Sequence, residues 1–326
     1  ISDGSQINKL HFAIFDKNNE LVENINNDAA SFPVEIENSL IIGEQYTIVF
    51  WAQNKDCTAF TISEDKKSVN INYEDALNND EKFDAFFKSV TFTVTENTNI
   101  NIILKRPFAQ LNIGTTVESL KTDADSDIIL EGAKIEVKNV ASSFNTVTGY
   151  GEGDGTTIYG QPSNFVKVAG EDIQVNNNQK YAKLEVEGKP YVYVTMDYLP
   201  IISSTTVPKD LVEIKLLIDT DQPTVIEHNF DNVPVQRNYR TNVLGTFLVD
   251  YVDFNIVVDP IYNEPDHQEG YAIVKTKDEL QIALDAAKAG KTTLIYFAND
   301  IVGDVVVTEK EVEGTIVIVD GCNYKY

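Results

Sequence analysis

The sequence predicts a mainly β protein. It indicates two antiparallel β-sandwich domains in tandem, followed by a region with a capped helix and short parallel strands. Three observations support this class. Many short segments alternate apolar and polar residues, clusters of Asn, Asp and Gly separate them, and only two segments have helical spacing. Many short strands with turn signals between them are typical of antiparallel sandwiches.

The composition is that of a folded protein with an acidic surface. Hydrophobic residues make up 42% of the 326 residues and aromatic residues 10%. The formal charge of −25 argues against nucleic acid or an anionic membrane as a partner. No apolar run approaches the roughly 20 residues that a membrane-spanning helix needs. The two cysteines, Cys57 and Cys322, are far apart and lack metal-ligand spacing, so neither a disulfide nor a metal site is predicted.

The strands follow from alternation along the chain. Val90, Phe92 and Val94 lie on one face of a predicted strand, with threonines on the other. Residues 46–52 are apolar on both faces, which is typical of a central strand, and their Trp51 is expected in the core. Further strands are predicted at 8–15, 33–37, 67–72, 99–105, 108–113, 133–138, 164–168, 191–197, 211–219, 224–230, 241–249 and 252–256.

Two segments have helical spacing instead. Phe83, Phe86, Phe87 and Val90 fall at i, i+3, i+4 and i+7, which predicts a crossover helix over residues 75–88.

The second helix has clearer end signals. Thr276 and Glu279 match a capping box, and Gly290 stands where a C-terminal cap belongs. The apolar stripe between them consists of Leu280, Ala283, Leu284 and Ala287.

These elements divide into four parts. The first sandwich is predicted at 1–105 and the second at 106–259, with a proline-containing acidic linker at 260–270. Residues 271–326 form the last part. Pro107 and Pro234 cannot donate a ladder hydrogen bond, so each is expected to start a strand or to lie at a sheet edge.

Short β segments recur every eleven residues in the last part, around Ile295, Val306 and Val317. With the capped helix, they resemble the opening of a right-handed parallel β-helix, as in pectate-lyase-like proteins. Because a repeat fold needs three or more repeats to bury its core, either the native chain is expected to continue past Tyr326 or these strands are expected to pack on another domain.

The arginines are confined to two segments. Arg106 lies in Leu104–Gly114, whereas Arg237 and Arg240 lie in Asn232–Leu248, and every other basic side chain is a lysine. The arginine fork suits fixed carboxylate and carbonyl partners. We therefore expect the three arginines to be structural and more buried than the lysines; chance placement in a lysine-biased chain is the alternative.

The same two segments carry a family resemblance. KRPFAQLNIG and NVPVQRNYRTNVLGTFL resemble the mid-chain and late-chain signatures of Bacteroidales fimbrillin-like proteins, the type V pilus subunits and their lipoprotein relatives. Residues 3–16 fit that family's first strand and residues 254–260 its closing strand. Arg106, Pro107, Arg237 and Arg240 are the signature residues of this resemblance.

The resemblance implies transthyretin-like sandwiches and a role on the cell surface. It implies export as a lipoprotein to the outer membrane through an anchor upstream of Ile1. It also implies partners among pilus subunits, host or bacterial surface ligands, and glycans, with strand addition at an open sheet edge. The residues after the closing strand favour a pilus tip or accessory subunit, or a free-standing surface lipoprotein. Residues 8–15 suit a strand already seated in its own domain, which predicts a monomer in isolation.

No catalytic residue, metal site or cofactor is predicted, because no nucleophile–base arrangement or ligand spacing occurs. The run Asp123–Asp127 lacks the Gly and the Glu of a calcium loop, which leaves only an incidental cation site. A glycine-rich segment suggests a surface loop, with Tyr150, Asp154 and Tyr159 as a candidate glycan or cation contact. Two alternatives remain: the sandwiches are spacers of a β-helical polysaccharide-processing enzyme, or the protein is a glycan-binding surface protein.

Overall fold

The structure is a computed structural model. It describes residues 4–27, 34–73, 79–96, 98–120, 128–153, 155–159, 172–176, 179–202, 209–248, 254–259, 270–274, 276–286, 292–297, 300–302 and 316–320. The first ten strands are β1 (Lys9–Asp16), β2 (Leu21–Asn27), β3 (Gln45–Gln53), β4 (Phe60–Ile62), β5 (Ser68–Ile71), β6 (Ala85–Thr93), β7 (Phe108–Thr115), β8 (Leu130–Val140), β9 (Ser143–Asn145) and β10 (Tyr150–Glu152). The later strands are β11 (Gly155–Tyr159), β12 (Asp172–Asn176), β13 (Gln179–Val186), β14 (Lys189–Pro200), β15 (Lys209–Thr220), β16 (Ile226–Gln236), β17 (Arg240–Gly245), β18 (Phe254–Asp259), β19 (Gly270–Val274), β20 (Thr292–Phe297) and β21 (Ile316–Asp320). The helix α1 spans Lys277–Ala286, and short 3-10 turns lie at Glu81–Phe83 and Glu118–Leu120. The protein is therefore mainly β, as predicted.

The strands form five sheets. Sheet I has the order β2-β1-β3-β6, sheet II β10-β9-β5-β4 and sheet III β11-β8-β15-β16. Sheet IV has the order β12-β13-β14-β7-β17-β18, and sheet V the order β19-β20-β21. Sheets I, II and III are antiparallel, whereas β17 joins β7 in sheet IV in the parallel direction. The chain divides into two compact units, Ile1–Val257 and Val258–Tyr326.

Sheet II is built from two distant parts of the chain. Strands β4 and β5 come from the first hundred residues, and β9 and β10 follow β8 of sheet III. In the ladder that joins them, Val69 lies opposite Phe144, and both side chains are buried. The boundaries predicted at 105 and at 260–270 stay predictions, but the chain crosses back over residue 105 to complete this sheet.

One large buried cluster fills the interior of the first unit. It includes the inward side chains of β7 and β14 in sheet IV and of β8 and β15 in sheet III, for example Ile113, Val194, Ile135 and Leu216. Trp51 belongs to the same cluster and is 2% exposed, which confirms its predicted place in the core. Smaller clusters around Phe12 and Leu10 cover the other face of sheet I.

The predicted helix over 75–88 is wrong. Residues 85–93 form β6, which pairs antiparallel with β3, and only Glu81–Phe83 makes a single 3-10 turn. Residues 74–78 lie outside the described part. Phe86 packs on the cluster around Leu10, whereas Phe87 packs on the large cluster. A strand covered on both faces loses its two-residue alternation, and adjacent phenylalanines then imitate helical spacing.

Two predicted strands are not strands within the described residues. Residues 34–37 run without ladder pairing, although Val34 and Ile36 pack on sheet I. Residues 98–105 make only one bridge, between Lys105 and Phe87. The alternation that predicted both strands shows which side chains are buried. It does not require that the backbone pairs with a neighbouring strand. The predicted strand at 164–168 lies outside the described residues.

Both prolines lie where their missing N–H predicts. Pro107 immediately precedes β7, and Pro234 lies in β16, an edge strand of sheet III. The alternation of residues 90–95 is also confirmed, because Val94 is buried while Thr91 and Thr93 are exposed.

The second unit contains sheet V and α1. The predicted capping box is present: the N–H of Glu279 donates to Thr276 Oγ1 at 3.3 Å, and the N–H of Thr276 donates to Glu279 Oε2 at 3.1 Å. Strands β20 and β21 pair directly in parallel, with Ile295 opposite Val319. At the predicted eleven-residue spacing the segment around Val306 would lie between these two strands, so β20 and β21 are not the first and third of three successive neighbours. Residues 304–308 and Gly290 lie outside the described part.

Candidate functional site: the arginine junction

An aromatic cluster joins sheets I, II and IV within the first unit. Trp51 of β3 lies against Phe60 of β4, Phe108 of β7 and Phe144 of β9, with ring centroids 5.7, 5.9 and 5.6 Å apart. Two of these contacts are edge-on, the arrangement that aromatic pairs favour. We call this cluster and the three surrounding arginines the arginine junction.

Arg106 makes a buried ion pair with Asp84. Its Nε lies 2.9 Å from both carboxylate oxygens of Asp84, and its Nη2 lies 2.8 Å from Oδ2. The guanidinium also lies over the ring of Phe86, 4.5 Å from its centroid. Burial raises the pKa of Asp84 to about 6, and the charge and hydrogen bonds of Arg106 oppose that rise. Asp84 is therefore still ionised at pH 7, and the pair fixes the entry to β6 against the entry to β7.

Arg237 holds the β9–β10 turn. Its Nη1 donates to the carbonyl oxygen of Gly149 at 2.6 Å, and its guanidinium lies 5.4 Å from the ring centroid of Phe144. Nε and Nη2 are buried without a hydrogen-bond partner. Burial lowers the pKa of Arg237, and the charge of Asp210 offsets part of this effect.

Arg240 connects the two signature segments. Its Nε donates to Gln110 Oε1 at 3.0 Å, and the neighbouring Asn112 Nδ2 donates to Asn242 Oδ1 at 2.8 Å. These side chains face one another because β7 and β17 are parallel neighbours in matching register. Arg106 is buried, and Arg237 and Arg240 are partly buried. The carboxylate partner of Arg106 and the carbonyl partner of Arg237 are the contacts that the sequence predicts.

Asn238 completes the junction at the turn before β17. Its backbone φ is 63°, in the left-handed region that Asn tolerates better than most residues. From there, its Oδ1 accepts from the N–H of Arg106 at 3.2 Å and its own N–H donates to the carbonyl of Phe108 at 2.8 Å. The turn between β16 and β17 is thereby fixed to the start of β7.

Asp197 of β14 is a buried acid that the sequence analysis did not single out. It is 2% exposed, and neither carboxylate oxygen is paired with a cation or a backbone N–H. Burial raises the pKa of Asp197 to about 8, and the nearby Thr195 hydroxyl offsets this rise only in part. The available signal was an acidic residue inside the otherwise apolar run 192–200. At pH 7 the carboxyl group is mainly protonated.

The candidate glycan or cation contact is only partly described. Tyr150 begins β10 and is half-buried beside the Arg237 contact. Asp154 and the side chain of Tyr159 lie outside the described residues, as does Asp123–Asp127. The site therefore stays a prediction.

Neither a metal centre nor a membrane helix is found in the part of the chain that the structure describes. No group of three or more His, Cys, Asp or Glu side chains is placed to hold a metal ion among those residues. The helix found among them is too short and too polar to cross a membrane.

The fold and the arginine junction together define a mainly β protein in which three arginines hold distant segments of the chain in register. The chain belongs to the family of unknown function DUF6562, which it matches over residues 7–294. No curated protein matches it.

Several solved structures from the Bacteroidales are similar to this chain. A candidate polysaccharide-binding protein of Bacteroides thetaiotaomicron VPI-5482 is 12% identical, with 78% of this chain and 89% of that one covered and a TM-score of 0.45. The fimbrial anchor protein Mfa2 of Porphyromonas gingivalis is 13% identical, with 78% and 89% covered and a TM-score of 0.42. A fimbrial assembly protein of Parabacteroides distasonis ATCC 8503 is 12% identical, with 79% and 94% covered and a TM-score of 0.40.

Proposed function

We propose that this protein is a non-enzymatic, surface-exposed structural or adhesive protein of the fimbrillin type. In this proposal it is a pilus tip or accessory subunit, or a free-standing surface lipoprotein. One observation carries the proposal: the two segments that resemble fimbrillin signatures are neighbours in sheet IV. Gln110 and Asn112 of the first segment bond Arg240 and Asn242 of the second. Residues 130 positions apart thus form one structural unit, which favours a related fold over chance likeness of short motifs.

The finer architecture belongs to the same proposal. We infer that sheets I and II form one sandwich and sheets III and IV the other, with the β9–β10 hairpin contributed across the boundary. The parallel pairing of β19, β20 and β21, with α1 between the first two, supports the start of a β-helical region. Such a region after the closing strand suits a tip or free-standing protein better than a repeated stalk subunit.

Protease shaving of intact producing cells tests the surface assignment. We expect an antibody raised against residues 1–257 to lose its signal after shaving, while a cytoplasmic marker protein is unaffected. Mechanical shearing then separates the two surface forms, since a pilus subunit is released with filaments and a free-standing lipoprotein remains with the cells. Signal that survives shaving until the cells are lysed would refute a surface location.

A further inference from the structure

Arg106 and Arg237 lie in similar surroundings, but only Arg106 is paired with a carboxylate. Its Nε and Nη2 lie 2.9 and 2.8 Å from carboxylate oxygens of Asp84, and its guanidinium lies over the ring of Phe86. The guanidinium of Arg237 lies over the ring of Phe144 in the same manner. The same two nitrogens of Arg237 are buried and have no acceptor among the described residues. Arg106 therefore shows which chemical group suits this edge of Arg237.

The guanidinium of Arg237 is held in place without the use of this edge. Nη1 donates to the carbonyl oxygen of Gly149 at 2.6 Å. The ring against its face belongs to Phe144, which is 1% exposed and part of the large core cluster. Nε–H and Nη2–H point in parallel from one edge of the guanidinium plane, and this spacing matches the two oxygens of a carboxylate. The edge is thus a preformed fork, so a ligand does not have to order it on binding.

The positive charge of the fork is only partly balanced. Burial lowers the pKa of Arg237, and the nearby charge of Asp210 raises it in part. The carboxylate of Asp210 accepts a hydrogen bond from the N–H of Ile202 and does not occupy Nε or Nη2 of Arg237. Tyr150 and Asp210 are only partly buried, as is Arg237 itself. The fork therefore lies close to the surface, where a ligand reaches it by displacing a partly exposed neighbour.

We propose that the Nε and Nη2 edge of Arg237 binds a single carboxylate group of a ligand, with the phenol of Tyr150 beside it. The formal charge of −25 disfavours a ligand with many negative charges, because most of the surface repels it. A small carboxylic acid or one acidic sugar meets this limit. Both present the same group to the fork, and they differ in the hydroxyl groups that an acidic sugar offers to Tyr150.

NMR of the full chain observes the fork directly, because the Nε–H of Arg237 gives its own signal in a nitrogen-correlated spectrum. We expect sodium acetate to shift this signal and the amide signals of Gly149 and Tyr150 along one saturable curve. Sodium chloride at the same concentrations is the control for ionic strength and should shift them little. Glucuronate should bind more tightly than acetate if the ligand is an acidic sugar, and no more tightly if it is a small acid. Glucose, which lacks the carboxylate, should not bind.

A substitution of Asp210 distinguishes a binding site from a purely structural contact. Asp210→Asn keeps an oxygen acceptor for the N–H of Ile202 but removes a charge that repels the ligand. The affinity for acetate should therefore rise by roughly threefold or more. Asp221→Asn is the matched control, because Asp221 also accepts a backbone N–H, that of Ile129 at 3.0 Å, and lies beyond the far end of β15. It changes the net charge equally and should leave the affinity unchanged.

Arg237→Lys removes the fork but keeps a positive charge. We expect the affinity for acetate to fall by roughly tenfold, which corresponds to the loss of one charge-assisted hydrogen bond. Circular dichroism checks that this variant is folded. If it is not, the titrations of the wild type, Asp210→Asn and Asp221→Asn decide the question by themselves.

Three results would overturn the proposal. The first is an Arg237 Nε–H signal that neither acetate nor glucuronate shifts. The second is a shift that chloride or glucose reproduces at equal concentration, which would mean that the carboxylate is not what is recognised. The third is an affinity for acetate that Asp210→Asn leaves as unchanged as Asp221→Asn does, which would place the bound carboxylate away from Arg237.

Discussion

At the scale of single residues, Asp84 and Arg106 show why an arginine rather than a lysine stands before β7. The guanidinium meets both oxygens of one carboxylate and stacks on Phe86, and the side chains are only 3% and 6% exposed. A lysine is a point charge and cannot make this two-point contact. The geometry therefore fixes position as well as charge, which suits a contact between segments that must stay in register.

Removing one partner of this ion pair should lower the stability strongly. Replacing both partners with apolar residues should lower it less. We expect Asp84→Asn to lower the free energy of unfolding by about 3–5 kcal/mol, because Arg106 stays buried without its counter-charge. Combining Asp84→Leu with Arg106→Met should cost clearly less than the sum of the two single changes. Urea unfolding followed by tryptophan fluorescence measures the wild type and each variant, since Trp51 lies in the same junction. Lys138→Met, in an ion pair with side chains 55% and 49% exposed, is the control and should change little.

Asp197 should make stability fall as pH rises. Its pKa is about 8 in the folded protein and 3.8 when exposed, so the folded state binds the extra proton between these values. The free energy of unfolding then decreases from about pH 4 to about pH 8 and levels off above that. We expect Asp197→Asn to remove this contribution and to stabilise the protein at pH 8 by a few kcal/mol, with little effect at pH 4. Equal stabilisation at both pH values would show that titration of Asp197 is not the cause.

At the scale of elements, the β9–β10 hairpin links the two halves of the first unit. The N–H of Ile71 donates to Ser142 at 2.9 Å and the N–H of Thr146 donates to Lys67 at 2.9 Å, so the β5 ladder continues beyond the short strand β9. Gly151 of β10 packs so closely on the chain after β14 that an added Cβ would lie 2.1 Å from the carbonyl oxygen of Ile201. A backbone atom cannot yield as a flexible side chain can.

Gly151→Ala should therefore displace the β9–β10 hairpin from the chain after β14. We expect a loss of about 3 kcal/mol in the free energy of unfolding, the upper end of the usual cost of overpacking. Gly155→Ala is the matched control, because its added Cβ meets only ordinary contacts at 3.7 Å. Its effect should stay within about 0.5 kcal/mol. Thermal unfolding followed by circular dichroism compares the two, and similar losses would mean that the close approach at Gly151 is relieved elsewhere.

The strands also show which features of the fold could be predicted from the sequence pattern. Alternation located strands such as β8, whose inward side chains are buried while Lys134 and Glu136 are partly exposed. It misread the first half of β6, where Phe86 and Phe87 pack on opposite faces. It also predicted a paired strand at 99–105, where only Lys105 pairs. Pairing partners depend on backbone contacts between distant residues, and these leave no mark on the periodicity of either segment.

The sequence likewise predicted only part of the candidate site. The rarity of arginine marked Arg106, Arg237 and Arg240, because a fork-shaped donor has a limited set of partners. The partners themselves could not be predicted: Gly149 contributes a backbone carbonyl, which has no sequence signature, and Asp84 is one acid among many. Asp197 was missed since no pattern shows that a single carboxyl group will be buried without a counter-charge.

At the scale of the whole molecule, the first unit should fold as one cooperative body. Sheet II takes two strands from each side of residue 105, and the aromatic cluster around Trp51 draws on both sides as well. A chain that ended at residue 105 would keep β4 and β5 but would lose β9, the second ladder partner of β5. Val69, fully buried in the intact protein, would then lose Phe144 from across the ladder.

We therefore expect a fragment of residues 1–105 to be unfolded or aggregated, and a fragment of residues 1–257 to fold. Amide proton dispersion in two-dimensional NMR spectra distinguishes these states directly. Fusing residues 141–153 to the shorter fragment through a flexible linker should restore dispersion, because the hairpin supplies the missing partners of β5. The same fusion carrying Gly151→Ala separates the two close contacts of that position, since Ile201 is absent and only the Cβ of Ala141, at 2.8 Å, remains. The substitution should then do less harm than in the full chain. A well-dispersed spectrum from residues 1–105 alone would show instead that the first sandwich is independent and that the hairpin is an accessory to it.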